Sequence, residues 1–281
     1  MEIMKNNNIA VLLQVYNEEK RIESCLNSFS WADELLVVDK SSTDKTVEIA
    51  KKFTDNIAII PFSEGSKGGK NNVDRFDIES EWLFFVTASS LIHPNIVDEL
   101  IKLTTDDSFN YDIIGIPYAI YSFGIRSKRS PWTDDLKFTI FRKSMLITSD
   151  KLHHENQSLS DKYYSMMVTS RHEVLYHCTN DNAHNYFNRQ MMYTSYEACY
   201  EKTTLKKIFL EILKSIAVVV IKRRFFLGGQ DGLALSLAYI SYFMMKFVFY
   251  WDNNNKNNGD NVYPKLRNEI DQLWKSKKTG S

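Results

Sequence analysis

The sequence has little that would tie it to an oxidising compartment or to a polyanionic partner. Its three cysteines, Cys25, Cys178 and Cys199, are widely spaced, include no Cys-x-x-Cys pair and are odd in number. They cannot complete a disulfide framework, so a reducing cytoplasm is the expected setting. Neither sign of charge is in excess: 35 Lys and Arg balance 35 Asp and Glu, which argues against a generally basic nucleic-acid binder. The polar start runs directly into an apolar segment with no basic-then-apolar leader and no small-residue cleavage site, so no export is expected. A long uncharged run is also missing. Residues 232–245 fall short of the roughly 17–25 residues that span a bilayer, and Glu211 and Lys214 interrupt the apolar stretch before them.

What is present is an ordinary globular composition, 43% apolar and 25% charged over 281 residues, enough for one large α/β core with an appendage. Ile9-Ala-Val-Leu-Leu-Gln-Val15 is a nearly continuous apolar run, the pattern of a strand covered on both faces in a parallel sheet. Asn17 precedes Glu18, Glu19 and Lys20, and Ile22, Cys25, Leu26 and Phe29 follow at helical spacing, which predicts a polar cap opening an amphipathic helix. The unit recurs at Glu34-Leu-Leu-Val-Val-Asp39 and a helical stretch carrying Val47, Ile49, Ala50 and Phe53. Residues 57–61 predict a third strand and Trp82-Leu-Phe-Phe-Val86 another, while Pro94 opens a helix through Leu103. Right-handed βαβ crossovers and a doubly wound sheet follow, with the loops after Val15, Asp39 and Val86 converging beyond the carboxyl ends of their strands. The pattern then turns β-rich at residues 113–121, 137–141 and 173–176. Between residues 204 and 251 two apolar helices flank Phe226-Leu-Gly-Gly-Gln-Asp-Gly232, and Asn-rich residues 252–261 read as a flexible linker before a short amphipathic tail helix.

Asp39 ends an apolar strand, where a carboxylate can accept hydrogen bonds from a nucleobase or a ribose; a strand-terminal Asp is also a common turn former. The loop Gly65-Ser-Lys-Gly-Gly-Lys70 could cradle phosphate, yet Glu64 holds the position of a Walker loop's first glycine, which discards an ATPase. His153, His154, His172, His177 and His184 follow no zinc spacing and have no cysteine pairs beside them.

Taken together, Val15-Tyr-Asn-Glu-Glu19, Ala32-Asp-Glu-Leu-Leu-Val-Val-Asp39 and Ser41-Ser-Thr-Asp-Lys-Thr-Val-Glu-Ile-Ala-Lys51 closely resemble the opening of family 2 glycosyltransferases of the A-type fold. The particular likeness is to the lipopolysaccharide-core glucosyltransferase branch. It continues through Asp135-Leu-Lys-Phe-Thr-Ile-Phe-Arg-Lys143, His154-Glu155, Tyr176-His177, residues 186–198 and the Gly-Gly-x-Asp-Gly turn between apolar helices. The resemblance implies an α/β, Rossmann-like doubly wound mixed sheet with a C-terminal helical appendage. It implies a catalytic domain over residues 1–200, with a nucleotide-binding half at about 1–110 and an acceptor half at about 111–200, and a helical region at 201–281. It further implies an inverting transfer of a hexose from a nucleoside-diphosphate sugar, with UDP the expected nucleotide, to a surface glycan or lipid-linked glycan such as lipopolysaccharide core or O-antigen. Such a transfer needs a carboxylate base at the acceptor and donors or positive charge at the leaving diphosphate. Asp135, with Asp134 beside it, matches the branch's acidic position; both also suit a turn after Pro131. Gln14, Tyr16, Glu18 and Asp39 are expected in the nucleotide pocket, Lys70 and Ser89 near the phosphates, and His154 and His177 as phosphate or acceptor contacts.

One departure concerns the metal. The family carries Asp-x-Asp after the fourth strand to hold a divalent ion, Mn or Mg, and here Thr87 and Ser89 occupy those positions. Neutral hydroxyls are poor substitutes for carboxylates at such ions. Three alternatives stand: an ion held by diphosphate and water, replacement by cations such as Lys67, Lys70, Arg126, Lys128 or Arg129, or a catalytically degenerate nucleotide- or glycan-binding subunit. A nucleotidyltransferase fits least, because that chemistry leans harder on carboxylate-held metal. At the C-terminal helices, Lys206, Lys207, Lys214, Lys222, Arg223 and Arg224 flank apolar faces, which suits a helix lying in an anionic membrane surface at the inner face of the plasma membrane. A buried helical pair or a homodimer through the same helices is the alternative.

Overall fold

The computed structural model describes residues 7–62, 70–132, 136–147, 162–166, 174–200 and 203–279. Two compact units result: residues 1–128 with 132–181, and residues 129–131 with 182–281.

The first unit is built on a mixed sheet in the order β3-β2-β1-β4-β7-β6-β9-β5, with β8 paired to β6. Strands β1 (Ile9–Val15), β2 (Glu34–Asp39), β3 (Ile57–Ile59) and β4 (Trp82–Thr87) are mutually parallel. Helices α1 (Ile22–Ser28), α2 (Thr46–Ala50) and α3 (Lys70–Val73) lie in the connections between them. Successive residues of β1, β2 and β4 are apolar because both faces are covered. Val11, Leu13, Val37 and Phe84 join the core that includes Cys25, Leu26 and Phe29 of the α1 region, while Leu12, Leu36, Val38 and Leu83 join the opposite one with Ile60, Val73 and Ile78.

After β4 come β5 (Ser90–Ile92), α4 (Pro94–Thr104) and β6 (Ile113–Ser122). His93 caps α4 by accepting from Asn95 N, and Pro94 opens it as expected. Strand β7 (Leu136–Arg142) inserts antiparallel between β4 and β6, followed by α5 (Lys143–Ile147), β8 (Tyr163–Ser165) and β9 (Leu175–Thr179). The first half of β6 pairs with β7 and β8 and its second half with β9, which in turn pairs with β5.

The second unit contains α6 (Ala183–Tyr200), α7 (Leu205–Ala217), α8 (Gly229–Asn254) and α9 (Gly259–Thr279). Helix α6 packs on α8: Tyr186 Oη donates to Ala238 O at 2.6 Å, and Tyr242 Oη donates to the Glu197 carboxylate at 2.7 Å. Lys246 of α8 lies 3.2 Å from Glu197 and 3.9 Å from Glu211. A π-turn at Val218–Lys222 and a 3-10 turn at Phe225–Gly228 join α7 to α8. The last glycine of the Gly-Gly-x-Asp-Gly sequence has a physical cause: a Cβ on Gly232 would sit 2.1 Å from the Phe225 carbonyl oxygen.

Several expectations are corrected. Asn17 does not cap α1, which starts at Ile22 after Arg21 with no side-chain cap; Asn17 is left-handed (φ 53°) and bonds the next loop instead. The linker expected at 252–261 shrinks to four residues, because α8 extends to Asn254 and α9 opens at Gly259 with 21 residues. The two compact units divide after Asp181, with α6 in the helical one. One helical segment, Phe225–Asn254, is long and apolar enough to cross a membrane by length and composition, although its uncharged core alone is too short.

Candidate active site

The carboxyl ends of β1, β2 and β4 share one edge, since Val15 is in register with Asp39 and Gln14 with both Val38 and Thr87. The two loops that leave this edge are fastened to each other. Asn17 N donates to Ser42 Oγ at 2.8 Å, Thr43 N to Asn17 Oδ1 at 2.8 Å, and Glu18 N to Thr46 Oγ1 at 2.7 Å. Asp44 accepts from the Thr46 hydroxyl, from Thr46 N and from Glu19 N; against partial desolvation, which raises its carboxyl, these bonds hold it below the ordinary range.

Asp39 is 1% exposed. Its Oδ2 accepts from Ser42 N at 2.8 Å, and among the described residues its Oδ1 has no partner. A buried carboxylate oxygen left unpaired is costly and points to a missing donor. At the same edge, Tyr16 follows β1 and Phe62 follows β3, and their rings meet edge-on with centroids 4.7 Å apart. Both residues are more than a third exposed, so an aromatic pair stands open to solvent at the strand edge that also carries Asp39. Phe62 was not anticipated from sequence.

Gln14 is half-buried at the same edge. The Glu18 carboxylate is held by Arg21, whose Nε and Nη2 lie 2.7 and 2.5 Å away. Arg21 also faces Asp181 at 3.8 Å. Lys40 is a further residue that sequence reasoning missed. Its amide donates to Val15 O, continuing the alternation of Leu36 and Val38 onto the face that also carries Gln14 and Thr87. Burial pushes its pKa down.

At the position of the expected metal site, Thr87 Oγ1 lies 2.9 Å from Ser89 Oγ and 3.2 Å from Ser90 Oγ, and Ser89 Oγ is 3.2 Å from His177 Nδ1. Strand pairing of Ser90 with His177 brings these groups together. Cys25 Sγ, its thiol pushed up to about 12 by burial, contacts Thr87 O at 3.4 Å and fixes α1 against the end of β4. This donor set does not fit a divalent ion. It consists of hydroxyls and one imidazole with no carboxylate, its hydroxyls bond one another, and the described residues contain no group of three or more His, Cys, Asp or Glu placed to hold a metal. Of the remaining expected site residues, Asp134, Asp135 and His154 lie outside the described residues, as does the Lys70 side chain.

Residues 10–174, more than half of the chain and the whole of this edge, match the family model described as glycosyl transferase family 2. The chain belongs to that family. Its mixed sheet with flanking helices is the family's A-type α/β fold. Among relatives of this glycosyltransferase, the SPbeta prophage-derived glycosyltransferase SunS of Bacillus subtilis is 33% identical over 108 residues, 37% of this chain and 25% of SunS. The match thus spans about a quarter of that relative's length. The uncharacterized glycosyltransferase RP128 of Rickettsia prowazekii is 23% identical over 82% of both chains. The poly(ribitol-phosphate) beta-N-acetylglucosaminyltransferase TarS of Staphylococcus aureus is 31% identical over 94 residues, 30% of this chain and 16% of TarS. A TarS 1-349 structure in complex with UDP covers 86% of this chain and 88% of its own, with 15% identity and a TM-score of 0.43.

Proposed function

We propose that this family 2 glycosyltransferase moves a hexose, with inversion, from a UDP-sugar to a bacterial surface glycan such as lipopolysaccharide core or O-antigen, on the cytoplasmic side of the membrane. The observation that carries the donor assignment is the unpaired, buried Asp39 Oδ1 at the strand edge from which the open Tyr16–Phe62 pair also projects. With Oδ2 already engaged by Ser42 N, one acceptor remains. One acceptor suits the single imide N–H of uracil, whereas a guanine edge presents two adjacent donors. An aromatic ring at the same edge suits the face of a base. The surface-glycan acceptor draws support from the likeness to TarS, whose name describes transfer to a poly(ribitol-phosphate).

At the other end of the donor, charge on the leaving diphosphate is met by Lys40 and by the Ser89–His177 pair, with no step assigned to a metal. The base is Asp135. Strand β7, which runs antiparallel to β4, opens at Leu136, so its first residues lie at the carboxyl edge of β4, and Asp135 is the residue before them. A catalytically degenerate binding subunit is the second reading, favoured by the Thr87 and Ser89 hydroxyls that stand where the family has carboxylates.

Asp39→Asn tests the donor pocket. The Asn amide can keep the bond from Ser42 N only by turning its NH₂ toward the vacant position, where it opposes the imide N–H of uracil and complements the N3 acceptor of cytosine. Loss of a hydrogen bond to a charged group, about 1.5–3 kcal/mol, weakens UDP by roughly 10- to 150-fold. In calorimetric titration the wild type is expected to prefer UDP over CDP and the variant to lose or invert that preference. Unchanged UDP affinity in a folded variant would remove the assignment. The same variant is expected to melt no lower than the wild type, since it relieves an unpaired buried charge.

A further inference from the structure

The helical unit carries a surface that the donor and acceptor chemistry does not use. In α7 the exposed residues include Phe209, Leu213 and Ile216, and in α8 they include Leu233, Leu237, Met244 and Val248, set apart by three, four or seven residues and so falling along one stripe of each helix. Between the helices the chain turns through residues 218–228, where Ile221 is 71% exposed, Leu227 59% and Phe226 39%. Lys222, Arg223 and Arg224 lie within the same turn, with Lys222 and Arg224 exposed. Asp231, in the first turn of α8, is the nearby acid. Phe225 and Val219 are buried, so the turn is anchored from beneath while its larger apolar side chains face outward.

We infer that this turn is a membrane-docking tip: Ile221, Phe226 and Leu227 enter the interfacial layer of an anionic bilayer, and Lys222 and Arg224 meet its lipid headgroups. The charge pattern selects the occupant. A second copy of this chain placed symmetrically on the same turn would bring the exposed Lys222 and Arg224 of one copy against those of the other, whereas an anionic surface complements both and solvates the apolar tips together. The opposite face of α8 argues for lying on the bilayer over crossing it. Ser236 and Lys246 are buried there, Lys246 ion-pairs with Glu197 and Glu211, and Tyr186 bonds the backbone at Ala238. That side of α8 is committed to protein and carries a buried charge about two-thirds of the way along the helix.

The test is sedimentation of the full chain with vesicles of neutral phosphatidylcholine and with vesicles holding half phosphatidylglycerol. Binding to the anionic vesicles is expected, weakened by salt. Lys222→Gln with Arg224→Gln should reduce partitioning about thirtyfold, from the roughly constant contribution of each basic residue near an anionic surface. Ile221→Ser with Leu227→Ser should reduce it at least tenfold, and both pairs of sites are exposed, so melting temperature and UDP affinity serve as folding controls. Equal binding to neutral and anionic vesicles, or none, would overturn the proposal. So would a dimer in solution that the Ile221→Ser, Leu227→Ser variant dissociates without any vesicle binding. Resistance of the vesicle-bound protein to carbonate extraction would overturn it in favour of α8 as a span.

Discussion

Asp135→Asn is expected to lower the transfer rate by about 10²–10⁴-fold, the range that a positioned general base supplies, while UDP affinity stays within about twofold. The split between rate and affinity is what makes the result informative. Asn is nearly isosteric and can still hold an acceptor hydroxyl by accepting its hydrogen bond, but it cannot take the proton as the hydroxyl oxygen bonds to the anomeric carbon. The proposed donor pocket takes Tyr16, Asp39 and Phe62 at the ends of β1, β2 and β3, and the base assignment gives residue 135 no part in it. Asp134→Asn, measured alongside, should cost less. Run with Mn, with Mg and with chelator, the wild-type assay also addresses the Thr87 and Ser89 substitutions. Turnover that survives chelator is the expected outcome, since the hydroxyls at those positions bond each other and are poor metal ligands. A full rate in Asp135→Asn would sink the base assignment. Binding of UDP with no turnover for any donor and glycan tried would favour the degenerate subunit.

Trp82→Ala is expected to destabilise the fold by about 3–5 kcal/mol, the usual cost of emptying a large aromatic site in a core. Trp82 opens β4 and is fully buried. Its ring tilts against Phe109 at 6.0 Å between centroids, and the Arg142 guanidinium lies over it at 4.5 Å. That guanidinium is also held by Glu81 and by the carbonyl oxygens of Phe109 and Tyr111. The Trp82 ring therefore joins β4, β7 and the turn before β6, and its loss would leave a charged group stacked on a void. Denaturant unfolding is the measurement, and a loss below about 1 kcal/mol would show that the neighbours collapse into the space. Phe109→Ala should give a smaller loss that is less than additive with Trp82→Ala, because the two rings share one contact.

The strands β1, β2 and β4 were legible because each is a run of apolar residues long enough to require burial on both faces. Strands β5 and β8 were not, since Ser90-Leu-Ile92 and Tyr163-Tyr-Ser165 are short and mix polar with apolar residues, whereas the equally short β3 lies in the apolar run 57–61. Asn17 misled because its residue type favours both helix caps and left-handed turns, and what decides between them is Ser42 and Thr43 in the neighbouring loop. The Asn-rich stretch after residue 251 read as a linker on composition, yet the helices continue into it from both sides. Asp39 and Tyr16 were visible as strand-end residues, but Phe62 follows Pro61, three residues beyond the end of β3, and only its contact with Tyr16 marks it. Lys40 hid inside a turn-like sequence. Its distance of two and four residues from Val38 and Leu36 was the available signal. The unpaired oxygen of Asp39 could not be foreseen, because it depends on which backbone amides reach the other oxygen.

The position of β7 has a consequence for how the chain reaches this fold. Strands β1 to β4 are complete once residue 87 has left the ribosome, but the partner that covers β4 comes from residues 136–142, with Phe84 meeting Ile140. During synthesis β4 is therefore an open edge whose Leu83-Phe84-Phe85 offers unsatisfied amides and apolar side chains to any other extended chain. The nascent protein is most vulnerable to mispairing while those intervening residues are being added, and substitutions that delay β7 should lower soluble yield before they lower the stability of the finished molecule.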